Sequence, residues 1–138
     1  MKRRAVQSTK TRTRQRPARI KLVPISDEAR HWSAMLEAEM ESWPSTTLKP
    51  MFGFRSVYRG RAIFAALPHT RSFGSACALI LKFNPAPAAL LERAQRDARM
   101  NISARIPGNG WYSFELRSED DLRDALWWLN QAYEHAGK

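Results

Sequence analysis

The sequence predicts an α+β fold: one domain with an antiparallel sheet of about five strands and three helices, in the order α-β-β-β-α-β-β-α, behind a basic N-terminal arm. Three observations carry this reading. Apolar residues recur at helical spacing near both ends of the domain, with a short helical stretch between. Elsewhere the period shifts towards alternation, with turn signals at Arg59-Gly60 and Pro107-Gly108-Asn109-Gly110 that favour hairpins. Finally, Lys2, Arg3, Arg4, Lys10, Arg12, Arg14, Arg16, Arg19 and Lys21 stand without an acid in the first 21 positions. Removing those nine from the chain's 23 basic residues leaves 14 against 13 acids, so nearly all of the net +10 belongs to residues 1–22. That stretch lacks apolar periodicity and is expected to be a disordered arm, with residues 23–138 as the folded domain.

The first helix is expected after Ser26, a good N-cap, with Asp27 and Glu28 where the helix dipole favours acids. Ala29, Trp32, Leu36, Met40 and Trp43 form its apolar stripe, and Pro44 is expected to end it. A polar loop is expected to reach Pro50. Met51 to Tyr58 and Arg61 to Leu67 then read as a hairpin about Arg59-Gly60, followed by a loop from Pro68 to Gly74. Ser75 to Phe83 is a nearly continuous run of small and apolar residues, as a mid-sheet strand should be. Ala88 to Ala98 reads as a short helix. Met100, Ile102, Ala104 and Ile106 alternate with polar residues, and Trp111 to Leu116 is the expected hairpin partner. Ser118 and Asp121 resemble a capping box for a last helix through about His135.

Composition narrows the function. A chain of 138 residues has room for one domain, and five Trp, six Phe and three Tyr supply its core. The only cysteine, Cys77, excludes an internal disulfide and points to a reducing, cytoplasmic setting. The alternative is an organelle transit peptide in the Arg-rich start, disfavoured because apolar residues there are too sparse for an amphipathic face. No apolar run reaches membrane-spanning length.

Enzyme motifs are missing: no phosphate-binding Gly loop, nucleophile elbow or dinucleotide fingerprint is present. His31, His69 and His135 share no ligand spacing, and Cys77 reads as a core thiol. No catalytic, metal-ligating or cofactor-binding residue is assigned, and no cofactor is expected. Glu119, Asp120, Asp121 and Asp124 cluster at the start of the last helix, where the dipole gives them a structural reason.

Four surfaces remain. The arm should bind DNA or RNA, or another polyanion, without sequence specificity. Arg55, Arg59, Arg61, His69 and Arg71 could gather about the hairpin and its loop as an anion or ligand site, the alternative reading of the chain being a small-ligand-binding domain or enzyme that uses the His69/Arg71 loop. Trp127 falls on the polar side of the last helix, either as an exposed contact for a protein partner or second copy, or covered by Arg123 through a cation–π contact. Trp128 falls at the flank of the core stripe. Asn101, Ser103, Arg105, Trp111, Ser113 and Glu115 share the outer face of their strands. A stacking platform for single strands is conceivable there, but Glu115 and the missing RNP pattern favour a solvated face. Should the fold itself bind nucleic acid, Arg55, Lys82 and Arg105 are the next cations.

Met51-Phe52-Gly53, Tyr58, Gly60, Phe64-Ala65 and Leu81-Lys82 resemble the N-terminal domain of TfoX-type competence regulators and the related YjbR-like domains, over about residues 26–83. Gly110-Trp111, Phe114, Asp121, Ala125, Leu129 and Tyr133 resemble a small "luciferase-domain" family over about residues 107–135. The resemblances imply an α+β domain without established catalytic residues and, on the TfoX side, a regulatory, DNA-associated role. The second domain of TfoX-type regulators has no counterpart, and the basic arm is an addition.

Overall fold

A computed structural model describes residues 22–73, 75, 77–83, 85–101 and 110–137. The elements are β1 (Leu22–Pro24), α1 (Asp27–Met40), β2 (Thr46–Met51), β3 (Phe54–Arg59), β4 (Ala62–Pro68), β5 (Arg71–Phe73), β6 (Ala78–Lys82), α2 (Ala88–Gln95), β7 (Met100–Asn101), β8 (Trp111–Glu115) and α3 (Leu122–Ala136). Six strands make one antiparallel sheet in the order β2-β3-β4-β6-β8-β7, and β1 pairs with β5 apart from it. The α+β class is as the sequence predicts. No helix among the described residues is long and apolar enough to cross a membrane. Arm residues 1–21 and most of the expected 100–106 strand and 107–110 turn lie outside the described residues, whereas Leu22, expected in the arm, begins β1.

Local chemistry explains the elements that were expected. Ser26 Oγ accepts from the Ala29 N–H at 3.1 Å, and α1 buries Ala29, Trp32, Leu36 and Met40. The helix stops at Met40, four residues before Pro44. Gly60 adopts φ 61° at the expected β3–β4 turn. Ala78 to Leu81 are all buried in β6, between β4 and β8. At the start of α3 the capping box forms, with Asp121 Oδ2 accepting from the Ser118 N–H at 3.2 Å.

Three expectations need correction. The loop before Pro50 is strand β2; it lies at the sheet's edge, where proline's missing N–H costs no ladder bond. The strand expected from Met51 to Tyr58 is broken by a tight turn, because Phe52 and Gly53 both take positive φ (51° and 88°). Gly53 is needed there: its carbonyl accepts from the His69, Thr70 and Arg71 N–H groups, and a Cβ would meet Arg71 Cγ at 2.8 Å. The loop expected at 68–74 contains β5, held by β1 and by Ser72, whose Oγ accepts from the Ala78 N–H at 2.7 Å.

All three helices pack on one sheet face. Trp32, Leu36, Ala94, Trp128, Leu129 and Tyr133 meet Val57, Phe64, Leu67, Leu79, Leu81 and Phe114 in one core. A smaller cluster of Phe54, Ala66 and Ile80, with Trp111 against it, belongs to the opposite face.

Candidate functional site

The five residues expected to gather about the β3–β4 hairpin do not converge. Arg55 turns to the helix side and meets Glu37 of α1 at 3.8 Å. Burial pushes the Glu37 carboxyl above its ordinary value, although Arg55 and His69 draw it down. Arg71 packs beside the Gly53 turn and donates to Thr70 O at 3.2 Å. Arg59 lies at the far end of its strand, about 13 Å from Arg55 at the usual strand rise. Its guanidinium covers the Tyr133 ring at 4.2 Å and donates to Tyr133 O at 3.0 Å. Arg61 is exposed beside the Gly60 turn. The cations thus separate into Arg55, His69 and Arg71 at one end and Arg59 and Arg61 at the other, because an extended strand spreads residues that a linear reading places together.

Trp127 is half-buried and packed against the core, not exposed. The cation over its ring is Arg93 of α2, at 3.9 Å, and not Arg123, which is exposed on α3. Trp127 and Arg93 line an open groove of about 370 Å³ with Ala89, Leu90, Glu92 and Arg96. Trp128, expected at a flank that neighbouring elements can cover, is covered and only 1% exposed.

The acids at the start of α3 do more than complement the helix dipole. Asp121 and Asp124 join Asp97 around one guanidinium, that of Arg99, at 2.8–2.9 Å. The sequence reading missed Arg99 altogether. Its signal, an Asp-x-Arg pair after α2, is local to Asp97 but silent about α3.

His31 is exposed on α1, and His135 meets the Phe83 ring edge-on at 5.8 Å between centroids. Among the described residues no group of three or more His, Cys, Asp or Glu could hold a metal ion. Cys77 is 2% exposed, and burial pushes its thiol up to about 12. At neutral pH the thiolate is therefore scarce as well as hidden. Native protein should react slowly with a thiol reagent and denatured protein quickly; rapid single-site labelling of native protein would show an accessible, activated thiol.

On the outer sheet face the chemistry is different. Lys49 Nζ lies 5.1 Å from the centroid of the Tyr58 ring, and Lys82 Nζ lies 5.6 Å from that of Trp111. Trp111 rests against the Phe54, Ala66 and Ile80 cluster. Glu115, on the same strand face, is bonded by Arg117 Nε at 2.9 Å. Arg105 and Ser103 lie outside the described residues.

Comparisons with protein-family models, with curated proteins and with solved structures find no match for this chain.

Proposed function

We propose that this chain is a non-enzymatic, regulatory α+β module that binds nucleic acid or another polyanion through the cations between Lys2 and Lys21. The observation that carries the reading is the partition of charge: nine cations and no acid before Leu22, and near neutrality after it. Such a run releases counterions from a phosphate backbone and needs no preformed pocket. The regulatory part rests on the resemblance to TfoX-type regulators alone. A second reading, contact with a protein partner at Trp127, draws on the groove between α2 and α3.

Salt titrations test the first reading. With six to nine cations neutralising phosphates on duplex DNA, log K should fall against log salt with a slope of roughly −5 to −8. Substituting Arg12, Arg14, Arg16 and Arg19 together by glutamine should flatten that slope by about 3.6. Affinity should hardly vary with duplex sequence. Negligible duplex binding even at low salt would sink the reading.

A further inference from the structure

The outer sheet face carries two aromatic–lysine pairs whose register makes them neighbours. Val57, Ala65, Leu81 and Tyr112 are cross-strand partners in sequence across β3, β4, β6 and β8. One step along the strands, in a common direction because all are antiparallel, come Tyr58, Lys82 and Trp111. These face away from the helices. The row on the other side joins Lys49, Ser56, Ala66, Ile80, Ser113 and Asn101. Tyr58 and Trp111 therefore stand about 14 Å apart across three strand spacings, with a lysine ammonium over each ring that must swing to a phosphate as a base takes its place.

We infer that this face is a stacking platform for single-stranded nucleic acid, with Tyr58 and Trp111 receiving bases and Lys49 and Lys82 receiving the adjoining phosphates. The inference deepens the polyanion reading above and rests on it for the identity of the ligand. Four features of the fold converge on a single strand. Aromatic faces beside cations bind bases only where those bases are unstacked, which excludes an intact duplex. The row crosses four adjacent strands of the six-stranded sheet, β3, β4, β6 and β8, and a sheet face displaying aromatics is a geometry that stacks two or three bases. The acid that speaks against the idea in the sequence, Glu115, is compensated by Arg117 at 2.9 Å, so the lysines set the sign of the face. The cationic segment also joins the fold at β1, which β5 and the Ser72–Ala78 hydrogen bond tie to the start of β6, a strand of the platform. A polyanion held by residues 2–21 is tethered to the same chain as this sheet, which raises its effective concentration.

The test uses the full chain and three probes: a labelled oligothymidylate, a DNA duplex of equal charge, and inorganic polyphosphate, which has phosphates but no bases. Tyr58→Leu and Trp111→Leu keep apolar bulk over the sheet while removing the stacking surface. Each should weaken oligothymidylate binding about 5- to 100-fold and leave polyphosphate within about twofold. Lys49→Gln with Lys82→Gln should reduce the single-strand salt slope by about 1.4. Thermal melts of each variant confirm the fold, and should Trp111→Leu fail to fold, Tyr58→Leu and the lysine pair decide. Unchanged oligothymidylate affinity in these folded variants, with all three probes weakened by the four-arginine substitution, would overturn the platform and leave the arm reading standing. Loss of single-strand binding in the platform variants, with none in the four-arginine variant, would support the platform and overturn the arm. Equal weakening of polyphosphate and oligothymidylate by Tyr58→Leu would reduce the face to a patch of charge and overturn stacking.

Discussion

Replacing Arg99 with alanine is expected to lower stability by about 2–4 kcal/mol, more than an exposed ion pair is worth. The guanidinium gives Nε and Nη2 to the two oxygens of Asp97 at 2.9 Å, Nη1 to Asp121 at 2.8 Å and Nη2 to Asp124 at 2.9 Å. Its plane also lies over Phe114, with Cζ 4.9 Å from the centroid. The side chains of Arg99, Asp97 and Asp121 are only 21%, 17% and 14% exposed, so water cannot readily replace what is lost. Truncation would leave three carboxylates converging without a cation, two of them largely desolvated. Asp124 is 47% exposed and should relax outwards, which keeps the loss below that of a fully buried triad. Arg99→Lys should recover only part of the loss, since an ammonium cannot match the planar fork.

The same cluster predicts an acid-labile fold. The Arg99 hydrogen bond holds the Asp97 carboxyl below its ordinary 3.8, against burial. For Asp121 burial pushes upwards, but the Arg117 N–H, the Arg99 guanidinium and the Ser118 N–H together hold it below 3.8 as well. Folded values below the unfolded value mean that the unfolded chain binds more protons in acid. The contribution is therefore complete above about pH 5 and drains away as pH falls through the unfolded value near 3.9 and on through the folded ones. Urea titrations from pH 7 down to pH 3 should show the gap between wild type and Arg99→Ala narrowing at the acid end. A gap already absent at pH 7 would mean that the carboxylates are satisfied by water and that Arg99 does not hold α3 to the α2–β7 corner.

Elements with local signals were legible in the sequence. The Ser26 cap, the Arg59-Gly60 turn, the apolar run of β6 and the Ser118–Asp121 box each depend on residues within a few positions of one another. Strands β2 and β5 were not legible, for different reasons. Pro50 looks like a breaker until the strand is known to lie at an edge, and three-residue β5 is defined only by its pairing with β1, which precedes it by almost fifty residues. The polar cluster was hidden for the same non-local reason, since Arg99 meets Asp121 and Asp124 at separations of 22 and 25. Helical periodicity placed Trp127 on the polar side of α3 correctly as an angle. It carried no information that α2 would bring Arg93 over that side. The outer-face row was half legible: alternation placed Trp111 on that face, whereas its relation to Tyr58 needed the register of four strands.

Trp128→Ala is expected to destabilise by about 3–5 kcal/mol, and Trp127→Ala, its neighbour in sequence, by about 1 kcal/mol. Trp128 is 1% exposed and meets the rings of Phe83 and Trp127 edge-on, at 6.3 and 4.9 Å between centroids. The indole also helps, less than Arg99 does, to hold the Asp97 carboxyl down, so truncation opens a cavity and disturbs the carboxylate that grips Arg99. Trp127 leaves part of its ring to solvent beneath Arg93, and alanine there forfeits that partial cover without hollowing the core. Thermal or urea unfolding of the two variants measures the difference directly. The double variant Trp128→Ala, Arg99→Ala should cost less than the sum of its parts, because both changes disturb Asp97 and the second finds the network already loosened. Strict additivity would show that the indole packs against the polar cluster without sharing its carboxylate. Equal losses at Trp127 and Trp128 would place both rings in the core and remove the groove between α2 and α3 as a surface open to a partner.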